Sequence, residues 1–193
     1  MTTQETVDRL AESIGPVAGT DESYGQLTVD VVPAQWLGAL TAARDDLGFT
    51  FFDWLTAVDQ LDAEEAGFDV VAHVWSVGRH EHLLLRTRVP AADPRLATAT
   101  GVYAGASWHE RETFEMFGVL FDGHPHLVPL LLPDGFEGRP LRKDFVLAAR
   151  AAKAWPGAKE PGESDADAGH GAAPSRRKNR PPGVPDPETW GPR

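Results

Sequence analysis

The strongest constraint on the fold of this chain is a change in composition near Arg150. The last 43 of its 193 residues contain 8 of the 16 prolines and 6 of the 19 glycines, and almost no large aliphatic side chains. Such a segment cannot bury enough apolar surface to offset the conformational entropy that folding costs. We therefore expect residues 148–193 to form an extended or disordered Pro/Gly-rich tail, and the hydrophobic core to be built from the residues before it.

The tail carries two features that suit contact with a partner. Ser175–Arg180 is basic, and the proline-rich stretch that follows ends near Trp190. Because a chain that proline has already extended loses little entropy on docking, we expect Trp190 to anchor a partner. An inert linker is the alternative for the tail itself. A cytoplasmic adaptor that uses its Pro-rich tail is an alternative for the whole chain.

Charge and cysteine content exclude several classes of function. The net charge is −11, and the acidic excess lies in the first 150 residues, so no binding to nucleic acid or anionic lipid through a basic surface is expected. Without cysteine, the chain cannot form a disulfide, a thiolate zinc site or a Cys-ligated iron–sulfur cluster. The sequence has neither a secretory signal nor an apolar run of the roughly 18 residues that a membrane helix needs. We therefore expect membrane contact only through partners.

Hydrophobic periodicity predicts an α+β fold. Leu27, Val29 and Val31 alternate with polar residues as in a half-buried strand, and apolar residues recur at helical spacing between Pro33 and Gly48. Three further strands are expected over Phe49–Val58, Phe68–Val77 and His82–Val89, rich in aromatic and β-branched residues. We predict a mainly antiparallel sheet with helices packed on one face, followed by a long extended C-terminal arm.

The remaining residues complete the predicted organisation. Residues 1–24 are expected to form an N-terminal helix or lead-in to a domain that spans 25–147. Beyond Pro90 the pattern becomes helical again, and a short charged helix is predicted over Trp108–Phe117, ending at Gly118. Glycine and proline then recur along residues 118–147. Irregular segments of this length are uncommon without a purpose, which favours an interface loop.

The familiar catalytic motifs do not occur in this chain. No GxGxxG, phosphate-binding loop, GxSxG or HExxH is present. The pairs His80/His82 and His124/His126 permit a metal hypothesis, since an HxH pair in a strand points both rings the same way. A metal-dependent hydrolase that uses His124, His126, Glu110 and Glu112 is therefore one alternative. However, Glu110 and Glu112 lie about 200° apart on a helix. This separation disfavours a two-carboxylate active site, and we predict no catalytic, cofactor-binding or metal-binding residue.

Three ordered elements across residues 110–145 carry a family resemblance. They are Glu110-Arg111-Glu112 with Glu115, then Gly123-His124-Pro125, then Pro140-Leu141-Arg142-Lys143-Asp144-Phe145. Together they resemble the signature of the C subunit of the proton-translocating NADH:quinone oxidoreductase, respiratory complex I, the counterpart of the mitochondrial 30-kilodalton subunit. The upstream order of strand, helix and three strands is also similar to the α+β domain of that family.

The resemblance implies a cofactor-free subunit of the peripheral arm, on the cytoplasmic side of a bacterial cell membrane. It would scaffold the cluster-bearing and quinone-binding D, B and I subunits. FMN, iron–sulfur clusters and quinone would be held by partner subunits, while the complex moves electrons from NADH to quinone and translocates protons. The chain would then be part of an enzyme complex, and the active site of that complex would lie in other subunits. An equivalent subunit of a hydrogenase-type complex, or of a complex that lacks the NADH module, is the alternative.

The resemblance also assigns residues to a subunit interface. With Trp190 of the tail, the expected interface residues are Glu110, Arg111, Glu112, Glu115, Gly123, His124, Pro125, Arg142, Lys143, Asp144 and Phe145. Arg111 and Glu115 are four residues apart on a helix, so we expect Arg111 to pair with Glu115 or with a partner acid. Glu110 and Glu112 are expected to meet basic groups on opposite sides.

The chain departs from the family pattern at three places. Glu115 stands where the family has Asp, Val128 and Pro129 stand where it has two basic residues, and Arg139 replaces a His.

Overall fold

A computed structural model describes residues 2–145 of the chain. The helices are α1 (Thr3–Ile14), α2 (Trp36–Asp45) and α3 (Ala106–Phe117), and one turn of 3₁₀ helix, Pro33–Gln35, precedes α2. The strands are β1 (Gly19–Ser23), β2 (Gln26–Asp30), β3 (Phe51–Gln60), β4 (Gly67–Ser76), β5 (Glu81–Pro90), β6 (Arg95–Ala97) and β7 (Leu120–Asp122). All of them lie in the larger of two compact units, which includes residues 2–134 and 139–143; of the described residues, 135–138, 144 and 145 belong to the other unit.

Five strands form the main sheet, in the order β1-β2-β5-β4-β3. The pairs β1/β2, β4/β5 and β3/β4 are antiparallel, whereas β2 and β5 run parallel. Strands β6 and β7 form a separate parallel pair. The prediction of an α+β fold with a mainly antiparallel sheet is therefore confirmed, while the predicted C-terminal arm lies outside the described residues.

Alternation along the central strands directs apolar side chains to one face of the sheet. On β4, Phe68, Val70, Ala72 and Val74 are fully buried, and on β5 Leu83, Leu85 and Val89 are too. They form one core cluster with residues of the helices, among them Trp36 and Leu40 of α2. Full burial of such a side chain contributes roughly 1.5–3 kcal/mol before entropy costs. The helices therefore pack on one face of the sheet, as the sequence predicts.

Charged residues on the opposite face pair across neighbouring strands. Arg86 of β5 donates through Nε and Nη2 to the carboxylate of Asp30 on β2, at 2.6 and 2.9 Å. Arg88 binds Asp69 of β4 in the same bidentate way, at 2.6 and 2.8 Å. Both pairs join residues that face each other in the strand register. They therefore favour the observed order of strands at the centre of the sheet.

Helix α1 begins with a capping box. The Thr2 hydroxyl accepts from the Glu5 backbone N–H at 3.2 Å, and the Glu5 carboxylate accepts from the Thr2 N–H at 2.7 Å. These bonds satisfy two backbone donors that would otherwise lack partners. In the part of the chain that the structure describes, neither α1 nor any other helix is long and apolar enough to cross a membrane.

Four details differ from the sequence-based expectations. Strand β1 lies within residues 1–24 and extends the sheet before residue 25; four of its five side chains are exposed, so it has no hydrophobic alternation. Residues 95–97 form strand β6, although the pattern after Pro90 predicts helical structure. Helix α3 begins at Ala106, two residues before the predicted start. Strand β7 lies in the segment 118–147, for which an irregular conformation is predicted throughout.

Candidate functional site

The elements that carry the family resemblance lie on or next to α3, the third of them through residues 140–143. Gly118, in the left-handed conformation with φ +86°, ends this helix and donates its N–H to the Phe114 carbonyl. Residues 119–134 and 139–143 then fold back along the helix. The chain in this region is fixed by side chains of α3 and of Arg139, which bind backbone groups.

Glu110 points into the protein and is completely buried. Its carboxylate accepts from the Thr98 hydroxyl at 2.5 Å and from the Ala99 backbone N–H at 2.6 Å. Burial raises the pKa of Glu110 to about 7, and the two hydrogen bonds offset only part of that effect. The sequence predicts that Glu110 meets a basic group at the subunit interface, whereas in the described residues its carboxylate is buried and binds Thr98 and Ala99.

His124 lies beside Glu110, and both of its ring nitrogens bind backbone groups. Nδ1 accepts from the His126 N–H at 2.9 Å, and Nε2 lies 3.1 Å from the Ser107 carbonyl. This pattern requires the neutral ring with its hydrogen on Nε2. Nε2 is 3.9 Å from the Glu110 carboxylate, so the two groups are neighbours without a hydrogen bond. The ring therefore supports the turn after β7 and has no lone pair free for a metal.

Arg111 binds the backbone of the segment that follows this turn. Its Nε donates to the Val128 carbonyl at 3.0 Å and its Nη2 to the Pro129 carbonyl at 2.8 Å. The guanidinium carbon also lies 5.3 Å from the ring centroid of Trp108, within the range of a cation–π contact. The predicted ion pair with Glu115 is not formed, because the guanidinium is directed to these two carbonyls.

Glu115 holds the next three residues of the same segment. Its carboxylate accepts from the N–H groups of Leu130, Leu131 and Leu132, at 3.1, 2.8 and 2.9 Å. Burial by itself raises the pKa of Glu115, but the three N–H donors and the nearby charge of Arg111 outweigh it, so the pKa lies below its ordinary value. Arg111 and Glu115 thus bind complementary backbone groups of one segment. We call this segment, residues 127–132, the apolar ribbon.

Arg139 occupies the C-terminal end of α3. Its Nη1 donates to the Phe114 and Glu115 carbonyls at 2.8 and 3.0 Å, and its guanidinium lies 4.7 Å from the Phe114 ring centroid. Burial and the nearby charge of Arg142 lower the pKa of Arg139. A cation here stabilises the helix because its last carbonyls lack partners within the helix.

Arg142 and Lys143 attach this part of the chain to the sheet. The Lys143 N–H donates to the Asp59 carboxylate at 2.7 Å, and its ammonium pairs with Asp62 at 2.8 Å. The Arg142 guanidinium lies 5.3 Å from the Phe68 ring centroid. The two basic residues of the last family element are therefore used, at least in part, inside this chain.

Other predicted interface residues have different positions. Glu112 is half-buried, Gly123 and Pro125 are exposed, and Gly123 needs its left-handed φ of +84° to turn the chain. Asp144 and Phe145 belong to the second compact unit, in which the Phe136 and Phe145 rings lie 6.1 Å apart. Trp190 lies outside the described residues.

The histidines of the described residues do not form the HxH pairs on which the alternative metal hypothesis depends. His80 lies in the turn before β5 with φ +56°, so it does not share the strand geometry of His82. His82 instead contacts His73 at 3.0 Å between ring nitrogens, and His73 binds Asp53 at 2.8 Å. Within residues 2–145, no three His, Asp or Glu side chains are placed to hold a metal ion.

Several residues contribute to the site although no sequence pattern identified them as part of it. Thr98 and Asp59 each bind the α3 region or the segment that follows it from distant parts of the chain, whereas Arg139 stands out in the sequence only as a departure from the family pattern. The exposed apolar residues were also missed. Trp108 is 61% exposed, Leu131 on the apolar ribbon 59%, and Leu141 54%. The charged side chains of α3 thus bind backbone, while large apolar side chains face solvent.

Comparison with known proteins gives a consistent result. Residues 29–151 match the family described as the respiratory-chain NADH dehydrogenase, 30 Kd subunit. A protein of Roseiflexus sp. (strain RS-1), named as the C subunit of NADH-quinone oxidoreductase, is 41% identical over 135 residues, which cover 69% of this chain and 77% of that protein.

Two solved structures are also similar. One is titled Nqo5 of the trypsin-resistant fragment (1-134); it has a TM-score of 0.55 and 29% identity, over 65% of this chain and all of that chain. The other belongs to the membrane-bound sulfane sulfur reductase, an archaeal respiratory membrane complex. It has a TM-score of 0.64 and 27% identity, over 76% of this chain and 86% of that chain.

Proposed function

Since the chain belongs to the family of the 30-kilodalton subunit of respiratory-chain NADH dehydrogenase, we propose that it is a cofactor-free scaffold subunit of an NADH:quinone oxidoreductase. It holds the quinone-binding D subunit and the cluster-bearing B and I subunits in register, on the cytoplasmic side of the membrane. FMN, iron–sulfur clusters and quinone belong to partner subunits. Electron transfer from NADH to quinone and proton translocation are properties of the whole complex.

One observation carries the proposal: Arg111 and Glu115 of α3 bind the chain's own backbone. Arg111 and Glu115 bind five consecutive residues of the apolar ribbon, Val128 to Leu132, through carbonyls and N–H groups. Charged groups committed in this way are not available to bind and transform a substrate. What they leave at the surface is apolar, with Trp108, Leu131 and Leu141 each more than half exposed. Such residues are typical of a protein interface.

The ribbon is held in place before any partner binds. Hydrogen bonds to charged groups are stronger than those between neutral groups. A segment that is already ordered loses less conformational entropy when it docks, so more of the contact energy contributes to affinity. This arrangement suits a subunit that must keep its neighbours at a fixed spacing.

The test is to place a charge on the apolar ribbon and to measure assembly. We expect Leu131→Asp to reduce by tenfold or more the D, B and I subunits that co-purify with the tagged full chain, because an apolar interface would then bury an unpaired carboxylate. The matched control is Leu37→Asp on α2, where the leucine is 38% exposed and lies away from the ribbon. We expect this variant to assemble normally.

Turnover separates a scaffold from a catalytic subunit. NADH:quinone activity, counted per FMN in the complex that does form, should be unchanged in Leu131→Asp. Normal assembly with slow turnover would contradict the scaffold role. Absence of oxidoreductase subunits from the wild-type preparation would contradict the proposed function altogether.

A further inference from the structure

We propose that the chain has a second docking surface at the end of the sheet where the β1–β2 and β4–β5 turns lie. This hairpin-end surface is formed by Tyr24, Gly25, Phe51, Val77 and His80, and it binds an apolar segment flanked by Lys or Arg on another protein chain of the complex. The inference rests on the proposed function, because it names a further contact of the same subunit.

The topology brings these residues together. Strands β2, β3 and β5 run in the same direction, and β1 and β4 run in the opposite one. The first residues of β2, β3 and β5 and the last residues of β1 and β4 therefore lie at the same end of the sheet. Phe51, the first residue of β3, lies opposite Trp75 near the end of β4. Gly25 and His80 line one cavity, which shows that the two turns are neighbours.

Both turns contain a strained backbone. In residues 2–145, Tyr24 and His80 are the two residues other than glycine with positive φ, each at +56°. Tyr24 and Gly25, with φ +76°, form the two-residue turn of the β1–β2 hairpin. Two positive φ values define a type I′ turn, whose first position favours Asn, Asp or Gly. A bulky residue there is an outlier that needs a compensating contact.

No such contact exists within the described residues. The Tyr24 side chain is fully exposed, at 106% of its reference area, and forms no hydrogen bond or ring contact there. Phe51 and Val77 are 48% and 51% exposed at the same end. An exposed tyrosine held in a strained turn is explained by a contact outside the chain, since tyrosine is among the residues that dominate interface energies.

A cavity between the turns fits the same interpretation. It measures about 220 Å³, and its lining includes Leu27, Phe49 and His82. Pockets for small-molecule ligands usually measure about 300–1,000 Å³, so this one suits a single side chain of a partner. The wall is mixed, because Thr3, Thr6, His80, Glu81 and His82 line it together with Leu27 and Phe49. The apolar character of the partner is therefore inferred from the exposed Tyr24, Phe51 and Val77 and not from the cavity.

Acidic residues lie at the rim of the hairpin-end surface. Asp21 and Glu22 are exposed on β1 next to Tyr24, and neither forms an ion pair with a basic residue of the described chain. Arg79, in the β4–β5 turn, is committed to Glu81 and to the Leu47 carbonyl. The surface around Tyr24 is therefore acidic, and a complementary partner carries Lys or Arg beside its apolar residues.

The first experiment uses Tyr24→Asn, which places a favoured residue in the turn. We expect the melting temperature of the purified full chain to rise by about 2–4 °C, because strain is removed. In complex purified through the tagged chain, at least one other subunit should be lost tenfold more readily in a salt wash. A rise in stability with unchanged retention of every subunit would overturn the proposal, and so would unchanged stability. The control for retention, Leu37→Asn, should leave the retention of every subunit unchanged, and its melting temperature should not rise, because it removes a partly buried leucine from α2.

The second experiment identifies the partner directly. Tyr24→p-benzoylphenylalanine in the full chain allows photo-cross-linking within the assembled complex. A cross-link to another subunit, at apolar residues next to Lys or Arg, is the expected result. A cross-link to a second copy of this chain, to its own residues, or to none would overturn the proposal. Wild-type complex with its oxidoreductase subunits present would then leave the proposed function intact.

Discussion

Protonation of Glu110 should control part of the pH dependence of folding. Burial raises its pKa from the ordinary 4.5 to about 7, against two opposing hydrogen bonds. A difference of this size corresponds to about 3 kcal/mol. Because the folded state binds this proton more tightly than the unfolded chain, the stabilisation is complete below the unfolded pKa of 4.5. It is lost as the pH rises through the folded pKa of about 7.

The surroundings of Glu110 accommodate the neutral form. One carboxyl oxygen accepts from the Ala99 N–H, and the other can donate its proton to the Thr98 hydroxyl, which in turn lies 3.0 Å from the Thr100 hydroxyl. His124 offers no compensating positive charge, since its Nδ1 accepts a hydrogen bond from the His126 N–H. Ionised Glu110 would therefore be a buried anion that has no cationic partner among residues 2–145.

Glu110→Gln tests this reasoning, because glutamine stays neutral and keeps an acceptor for the Ala99 N–H. The assay is urea unfolding of the purified full chain at pH 5, 6, 7 and 8. Between pH 5 and pH 8, the free energy of unfolding of the wild type should fall by up to about 3 kcal/mol more than that of the variant. Parallel profiles of the two proteins would show that Glu110 ionises normally in the folded state, and would refute the argument.

Two further variants test the contacts that hold the apolar ribbon. Arg111→Ala removes hydrogen bonds to the Val128 and Pro129 carbonyls, each worth about 1.5–3 kcal/mol. It should lower the yield of complex in a pull-down while activity per assembled complex stays unchanged; normal yield with slow turnover would contradict it. Glu115→Gln should lower the free energy of unfolding by about 2 kcal/mol in urea, because the amide nitrogen cannot accept from the ribbon N–H groups. Glu112→Gln is the control, since Glu112 forms no hydrogen bond or ion pair in the described chain, and its change should stay within about 0.5 kcal/mol.

The sequence predicted the strands whose apolar side chains are buried beneath the helices. Strands β2 and β5 place apolar residues on the helix-covered face, so their pattern repeats with the strand period, whereas β4 is buried almost throughout and was recognised by its aromatic and β-branched residues. Strand β1 is exposed almost throughout and leaves no such pattern. The parallel pairing of β2 with β5 was unreadable for another reason. Its contacts, such as Arg86 with Asp30, join residues 56 positions apart, and nothing local marks them as partners.

The motif residues were found from the sequence, but what they bind was not. A charged residue is naturally matched with an opposite charge, and Arg111 with Glu115 has the helical spacing for it. In the structure both residues bind main-chain groups, which every amino acid carries. Such contacts leave no trace in the identity of the partner residue. For the same reason the exposed Leu131 could not be distinguished by sequence from a core leucine.

The departures from the family pattern are explained by the same backbone contacts. Arg111 binds Val128 and Pro129 through their carbonyls, so this contact does not require the basic side chains that the family pattern has there. Glu115 has one more methylene group than the family's Asp, and it reaches three consecutive N–H groups of the ribbon. Because neither contact depends on a basic residue at 128 or 129, the ribbon stays fixed while its outer surface becomes more apolar. A partner that packs on this surface should then present apolar residues to Val128 and Pro129.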